Sequence, residues 1–211
     1  MERIAEFGTV SFDIFKEIAQ EEFGITDEAA LTAYQNLKLP KRATSGSAGY
    51  DFYAPFDITL KPGETAKIPT GIRAKMENGW VLMIFPRSGF GFKYRLMLDN
   101  TVGVIDSDYY YSDNEGHIMV KVTNCSGLGK TIDSKMQSES ESLENSAEWK
   151  YVKDSEYNER IECNCAGDIT EGKILKIQAG QGFAQGIFMP FGITMDDDTD
   201  TVRNGGLGST G

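Results

Sequence analysis

The sequence predicts a mainly β protein, an all-β sandwich or barrel, with an added N-terminal helical element. Three observations carry that reading. From Ala48 to Val122, short apolar or alternating runs are broken by the turn dipeptides Pro62-Gly63, Asn78-Gly79 and Ser88-Gly89. The pattern returns at Ile174 to Ile177 and at Ala184 to Thr194. Nowhere does a strand alternate with a helix-length amphipathic run, as parallel βαβ units would require. With 211 residues, 40% of them hydrophobic, the chain can bury one core, or one core plus an accessory element, rather than two full domains.

Residues 1–39 read mostly as the helical extension. Phe12, Phe15, Ile18 and Ala19 share one face of a helix over residues 11–22, with Ser11 as N-cap and Gly24 just past the end. Thr26 caps a second, shorter helix, Asp27 and Glu28 suit its first turn, and Leu31, Tyr34 and Leu37 give it an apolar stripe before Pro40 stops it. The β domain then occupies residues 40–211. Val81 to Phe85 is apolar throughout, as for a strand buried on both faces, whereas Ile118, Val120 and Val122 alternate with other side chains, as for a strand with one face in the core. Between the two β blocks, an acidic insertion at about residues 125–172 breaks the rhythm. Its SESES run, Ser138 to Ser142, is too polar to bury a core, while Trp149, Tyr151 and Tyr157 among the charges suit docking on a surface or a protein partner.

Net charge is −11, and ten acidic residues against three basic ones between Ser138 and Glu171 account for most of it. Such a balance argues against nucleic-acid binding, which demands a lysine and arginine surplus. The remaining near-neutral body can take a polyanion where local arginines and a divalent cation supply the field. No apolar signal region opens the chain, and no apolar run approaches the roughly 18 residues of a membrane span, so a cytoplasmic protein away from membranes is expected. Three cysteines, Cys125, Cys163 and Cys165, are expected as free thiols, and with the lone His117 they lack the paired spacing of a structural zinc site. His117 itself reads as a solvated side chain on the polar side of its strand.

Chemistry concentrates in DNTVGVIDSDYYY, Asp99 to Tyr111, read as strand–turn–strand with Gly103 at the bend. Asp106 there can orient and deprotonate a water, or serve as a turn carboxylate capping backbone amides. Asn100 can donate and accept towards a base edge, or be an ordinary turn residue. Arg87, Ser88 and Gly89 bring a guanidinium, a hydroxyl and exposed amides together, which suits phosphate oxygens, although Arg87 could equally make a salt bridge between subunits.

Five strings in order, SAGYDFYAP (Ser47 to Pro55), PRSG (Pro86 to Gly89), NTVGVIDSDYY (Asn100 to Tyr110), GQGFAQGIF (Gly180 to Phe188) and NGGLGSTG (Asn204 to Gly211), resemble the five motifs of trimeric dUTPases. The resemblance implies a jelly-roll or β-clip barrel and a homotrimer with active sites shared between subunits. It implies hydrolysis of dUTP to dUMP and pyrophosphate by in-line attack of water on the α-phosphorus, with Mg²⁺ on the triphosphate. By that resemblance Asp106 positions the water, Tyr109 lies against the deoxyribose, Asn100 reads uracil, and Ser88 supports the oxygen between the α and β phosphates. Asp51 holds water near the metal or braces the site, with no direct protein ligand to the metal named, and Gln185 contacts the phosphate region; both could instead be buried structural polar groups. The substrate-binding set so carried over is Arg87, Ser88, Gly89, Asn100, Gly103, Val104, Ile105, Tyr109, Gln185, Arg203, Leu207, Gly208 and Ser209.

The motifs are not matched throughout. Leu207 stands where the family usually has an aromatic, and Arg203 lies one residue nearer the glycine pair than the usual arginine; both departures fall in the C-terminal lid. Two other functions compete: dCTP deamination within the same superfamily, and a nucleotide-sensing regulatory protein working through the insert, as some viral relatives do.

Overall fold

The computed structural model describes residues 2–127, 148–153, 159–164, 172–201 and 203. They divide into two units, one formed by Met1–Ser126 with Lys173–Gly211 and the other by Gly127–Gly172. In the second, strands β11 (Glu148–Lys153) and β12 (Glu159–Asn164) pair antiparallel.

The first unit opens with β1 (Ala5–Thr9), which pairs antiparallel with β6 (Ile72–Met76), so the N-terminal 39 residues are not helical throughout. Helix α1 (Phe12–Phe23) follows and buries Phe15 and Ala19, one turn apart, before Gly24 ends it in the left-handed conformation at φ 60°. Helix α2 (Asp27–Gln35) starts at Thr26, whose hydroxyl accepts the Ala29 N–H at 3.2 Å. Its buried face is Ala30 and Ala33, with Tyr34 and Leu37 packed nearby, and Leu31, expected in the stripe, is exposed. Small alanines let the two helices approach closely, so the larger leucine is turned out.

The main sheet has the order β2 (Lys41–Arg42), β3 (Tyr50–Tyr53), β14 (Gly182–Pro190), β7 (Trp80–Pro86), β9 (Gly103–Ile105). A three-stranded sheet joins β5 (Thr65–Pro69), β10 (Met119–Asn124) and β8 (Leu96–Leu98), and β13 (Leu175–Ile177) pairs with β4 (Ile58–Leu60). A core of Phe52, Ile68, Leu82, Ile84, Val122, Leu175 and Phe183 lies among them. In β10, Val120 and Val122 are buried, as the alternation requires.

Strand β7 differs from its reading. Leu82 and Ile84 are buried, but Val81, Met83 and Phe85 on the other face are only half-buried. Register continues that second face across the sheet: Met83 lies opposite both Ile187 and Val104, and Val81 opposite Met189. Val104 and Met189 are 50% and 46% exposed, so the described residues leave this apolar face uncovered.

The two chain segments that lead into and out of the second unit are tied to each other. Asn124 Nδ2 donates to the carbonyls of Leu60 and Lys173, while Ser126 Oγ donates to Lys173 O and accepts the Lys173 N–H, all at 2.8–2.9 Å. These bonds tie the end of β10 to the chain just before β13.

Candidate active site

Asp51 on β3 stands directly opposite Gln185 on β14, and Ala184, one residue earlier, stands opposite Pro86 at the end of β7. The strand order β3-β14-β7 therefore brings Asp51, Gln185 and Arg87 together from distant parts of the chain. Arg87 Nε meets Asp51 Oδ1 at 3.2 Å, and Gln185 Nε2 donates to Pro86 O at 3.3 Å. Of the alternatives for Arg87, its observed partner is a carboxylate of the same chain. Glycines make this packing possible: a Cβ on Gly182 would lie 2.9 Å from Arg87 Nη1, and one on Gly49 2.8 Å from Gln185 Oε1.

Arg87 precedes α3 (Ser88–Tyr94), a short helix where the glycine-rich SGFGFKY suggested only a turn. Ser88 and Gly89 are exposed at its start and, with Arg87, line a cavity of about 430 Å³ that Lys93 and Lys176 also border. The two lysines were not anticipated. Lys176 was legible in principle, because it alternates with the buried Leu175 and Ile177. Three cations on one cavity of a chain carrying −11 make it suited to an anion.

The Asp99 to Tyr111 stretch is not a hairpin. Strand β8 pairs with β10 and β9 with β7, so the turn between them passes from one sheet to another. Asp99 anchors that turn, accepting the Thr123 hydroxyl and pairing with Lys121 Nζ at 3.3 Å. Asn100, Gly103, Val104 and Ile105 line a second groove, of about 380 Å³, with Lys67 and Lys121 at its edge. Gly103 is needed for closeness, since its Cβ would lie 3.0 Å from Ile84 Cβ. Ile105 is core at 3% exposure, whereas Val104 faces out.

Asp106 begins a 3-10 helix, Ser107–Tyr111, in place of the strand expected there. Arg203 Nη2 holds Asp106 Oδ2 at 2.5 Å, Arg203 Nε holds Asp108 Oδ1 at 3.1 Å, and the guanidinium carbon lies 5.7 Å from the centroid of the Tyr109 ring. Tyr109 is 2% exposed, with its hydroxyl donating to His117 O and accepting from Asn114 Nδ2, both at 2.8 Å. Burial raises its pKa, so it stays a neutral phenol. Leu207, Gly208 and Ser209 lie outside the described residues, as do Tyr157, Cys165, the SESES run and the side chains of Trp149, Tyr151 and Cys163. Among the described residues no group of three His, Cys, Asp or Glu side chains could hold a metal ion, and the carboxylate of Asp51 is engaged by Arg87.

His117 corrects the reading of a solvated histidine: it is fully buried, and its Nε2 accepts the Gly71 N–H at 2.9 Å. Burial lowers its pKa from 6.5 to about 4, so the folded protein holds it neutral. The unfolded chain binds a proton there below about pH 6.5 and the folded chain does not, so stability falls as pH drops between those values, by about 1.4 kcal/mol per pH unit from this group. We expect denaturation midpoints measured from pH 7.5 down to pH 4.5 to fall more steeply for the wild type than for His117→Gln, which keeps an acceptor for Gly71; parallel curves would contradict the assignment.

The description "dUTPase" belongs to the family model that matches residues 35–135. A deoxyuridine 5'-triphosphate nucleotidohydrolase of Lactococcus lactis is 33% identical over 186 residues, 86% of this chain and 94% of that one. Among solved structures, the dUTPase of Streptococcus mutans covers 89% of this chain and 97% of its own, with 28% identity and a TM-score of 0.51. A point mutant of the dUTPase from phage phi11 of S. aureus, in which a structural Mg(II) ion is coordinated, covers 94% and 98% with a TM-score of 0.53, and at 18% identity it speaks to the fold alone. No helix among the described residues is long and apolar enough to cross a membrane.

Proposed function

This chain belongs to the dUTPase family, and we propose on that premise that its dUTP hydrolysis to dUMP and pyrophosphate runs through Asp106 as the residue that orients and deprotonates the attacking water. The observation that carries the proposal is the presentation of Asp106. Its carboxylate is half-exposed at the head of a 3-10 helix whose Tyr109 is anchored in the core, and its partner is a side chain, Arg203, from the C-terminal segment rather than a backbone amide. A turn-capping carboxylate would accept from backbone N–H groups, and none of its own helix donates to it. Arg87, Ser88 and Gly89, with Lys93 and Lys176, would take the triphosphate, balancing charge as pyrophosphate departs. Mg²⁺ carried on the triphosphate would supply further positive charge there, with no protein ligand named for it. Asn100 and the groove through Gly103, Val104 and Ile105 would receive uracil, Tyr109 would back the deoxyribose, and Gln185 with Asp51 would brace Arg87. Arg203, Leu207, Gly208 and Ser209 would belong to the closing tail.

The Arg87 cavity and the Asn100 groove are lined by different residues, which supports a site completed between copies. The uncovered face of Val81, Met83, Phe85, Val104, Ile187 and Met189 supports the same conclusion, since an apolar sheet face is stable when another copy covers it. We take the assembly to be a homotrimer in the cytoplasm. Pyrophosphate release from dUTP, dTTP, dCTP and UTP with Mg²⁺, run beside a molar-mass measurement, tests this reading. Selective release from dUTP by a trimer is expected; ammonia release from dCTP would indicate a deaminase, and binding of dUTP without turnover a sensor.

The insert favours a second, separable role, because Gly127–Gly172 forms its own unit beyond the clasp at Ser126 and Lys173. We read it as the docking element for a protein partner. Replacing residues 127–172 by a short Gly-Ser turn, with Ser126 and Lys173 retained, should leave a folded trimer with substantial dUTP turnover, since loop-length changes cost only about 0.6 kcal/mol per doubling. Loss of the trimer on gel filtration would place the insert in the assembly instead.

A further inference from the structure

Behind the 3-10 helix of Asp106, the N-terminal helices and the Ser112 to His117 turn meet in a polar junction that the reaction itself does not use. Helix α1 lacks a side-chain cap of its own, because the Ser11 hydroxyl makes no capping bond. The Ser11 N–H instead donates to Glu115 Oε2 at 2.7 Å, which sets a carboxylate at the positive end of α1. The same oxygen lies 3.6 Å from Arg73 Nη1. Arg73 in turn donates from Nη2 to Tyr110 O at 2.9 Å, and its guanidinium sits 3.7 Å from the centroid of the Tyr110 ring. Tyr110 is a residue of the helix that Asp106 heads.

Glu115 adopts φ 58°, left-handed backbone that glycine or asparagine would take far more readily. The carboxylate's contacts with the Ser11 N–H and Arg73 offset the strain of that conformation. The bonds also run the other way: Val10 N donates to Gly71 O, Gly71 N donates to His117 Nε2, and Tyr109 hydrogen-bonds the His117 carbonyl, with the Phe15 ring of α1 centred 6.5 Å from His117.

We propose that Glu115 and Arg73 are positioning residues, a relay through which the N-terminal helices fix the 3-10 helix that presents Asp106. The added helical element is thereby part of the machinery for turnover, through orientation and without touching substrate. The proposal rests on the assignment of Asp106 above.

The discriminating variant is Glu115→Gly, which removes the carboxylate while favouring the backbone conformation of the turn. A purely structural role predicts that loss of the α1 cap lowers thermal stability, with turnover falling only as far as stability does. The relay predicts unchanged or higher stability with kcat for dUTP lowered roughly tenfold or more, since small misplacements of a catalytic group cost rate steeply. KM should stay within about twofold, as for an interaction expressed in the transition state. Glu115→Gln, which still offers an oxygen to Ser11 N–H, should restore most of kcat, and Glu115→Asn, tolerant of the same backbone but too short for that bond, should not. A Glu115→Gly enzyme with kcat within about twofold of wild type, or losses of kcat that track losses of melting temperature across the three variants, overturns the relay. A wild type inert on dUTP would instead refute the assignment of Asp106 on which it rests.

Discussion

Asp106→Asn is expected to lower turnover by roughly 10²- to 10⁴-fold while leaving the fold intact, the range for losing a positioned base. The amide keeps the size and shape of the carboxylate and removes its basicity. Little else depends on the charge: the Asp106 side chain is 47% exposed, and its ion pair with Arg203 is therefore of the kind that contributes about 0–1 kcal/mol. Melting temperature should move little as kcat collapses. Pyrophosphate release and thermal unfolding on the same preparation separate these effects, and wild-type turnover would remove Asp106 from the role given to it.

Gly116→Ala should be the most damaging single-methyl change in the molecule's active-site region. Gly116 has φ 70°, and a Cβ there would lie 2.7 Å from Tyr110 Cα and 2.8 Å from Tyr109 O. Both are backbone atoms of the helix that carries Asp106, so no side-chain rotation relieves the contact. Gly24 provides the comparison, with φ 60° and nothing within 4 Å of its Cβ position. Alanine at Gly24 should cost about 1 kcal/mol, the left-handed penalty alone. At Gly116 the collision adds to that penalty, giving on the order of 3 kcal/mol or more and displacing Asp106, so stability and turnover should fall together. Chemical denaturation of both variants checks the contrast. Equal losses at the two glycines would mean the turn yields where we hold it rigid.

How much of this could be read from sequence depended on whether the determining contacts were local. Helix α1 was legible because Phe15 and Ala19 repeat at one turn and Gly24 stops them, and α2 because Thr26 caps it; these signals act within a few residues. Helix α3 was not, since SGFGFKY has low helix propensity and is held by burying Phe90. The 3-10 helix reads as strand in the sequence because tyrosines favour strands, and what overrides that preference is the bonding of Tyr109 to Asn114 and His117. His117 looked exposed because its partner, Gly71, is 46 residues away. At the site itself the motifs named Asp51, Arg87 and Gln185 separately, but only the order β3-β14-β7 sets them side by side. The lysines of the Arg87 cavity lie outside every motif, and the relay at Glu115 rests on an N–H and a guanidinium that no local pattern announces.

In the site proposed here, Asp106 and Arg87 serve one substrate from different copies of the chain. Mixing Asp106→Asn with Arg87→Ala protein, each inactive alone, and allowing subunits to reassort tests this most directly. If the site is shared, random mixing in equal amounts gives about a quarter of the sites both intact groups, and turnover of dUTP returns to about that fraction of wild type. Continued inactivity of fully reassorted mixtures would contradict the account, because it would mean each site draws both residues from a single chain.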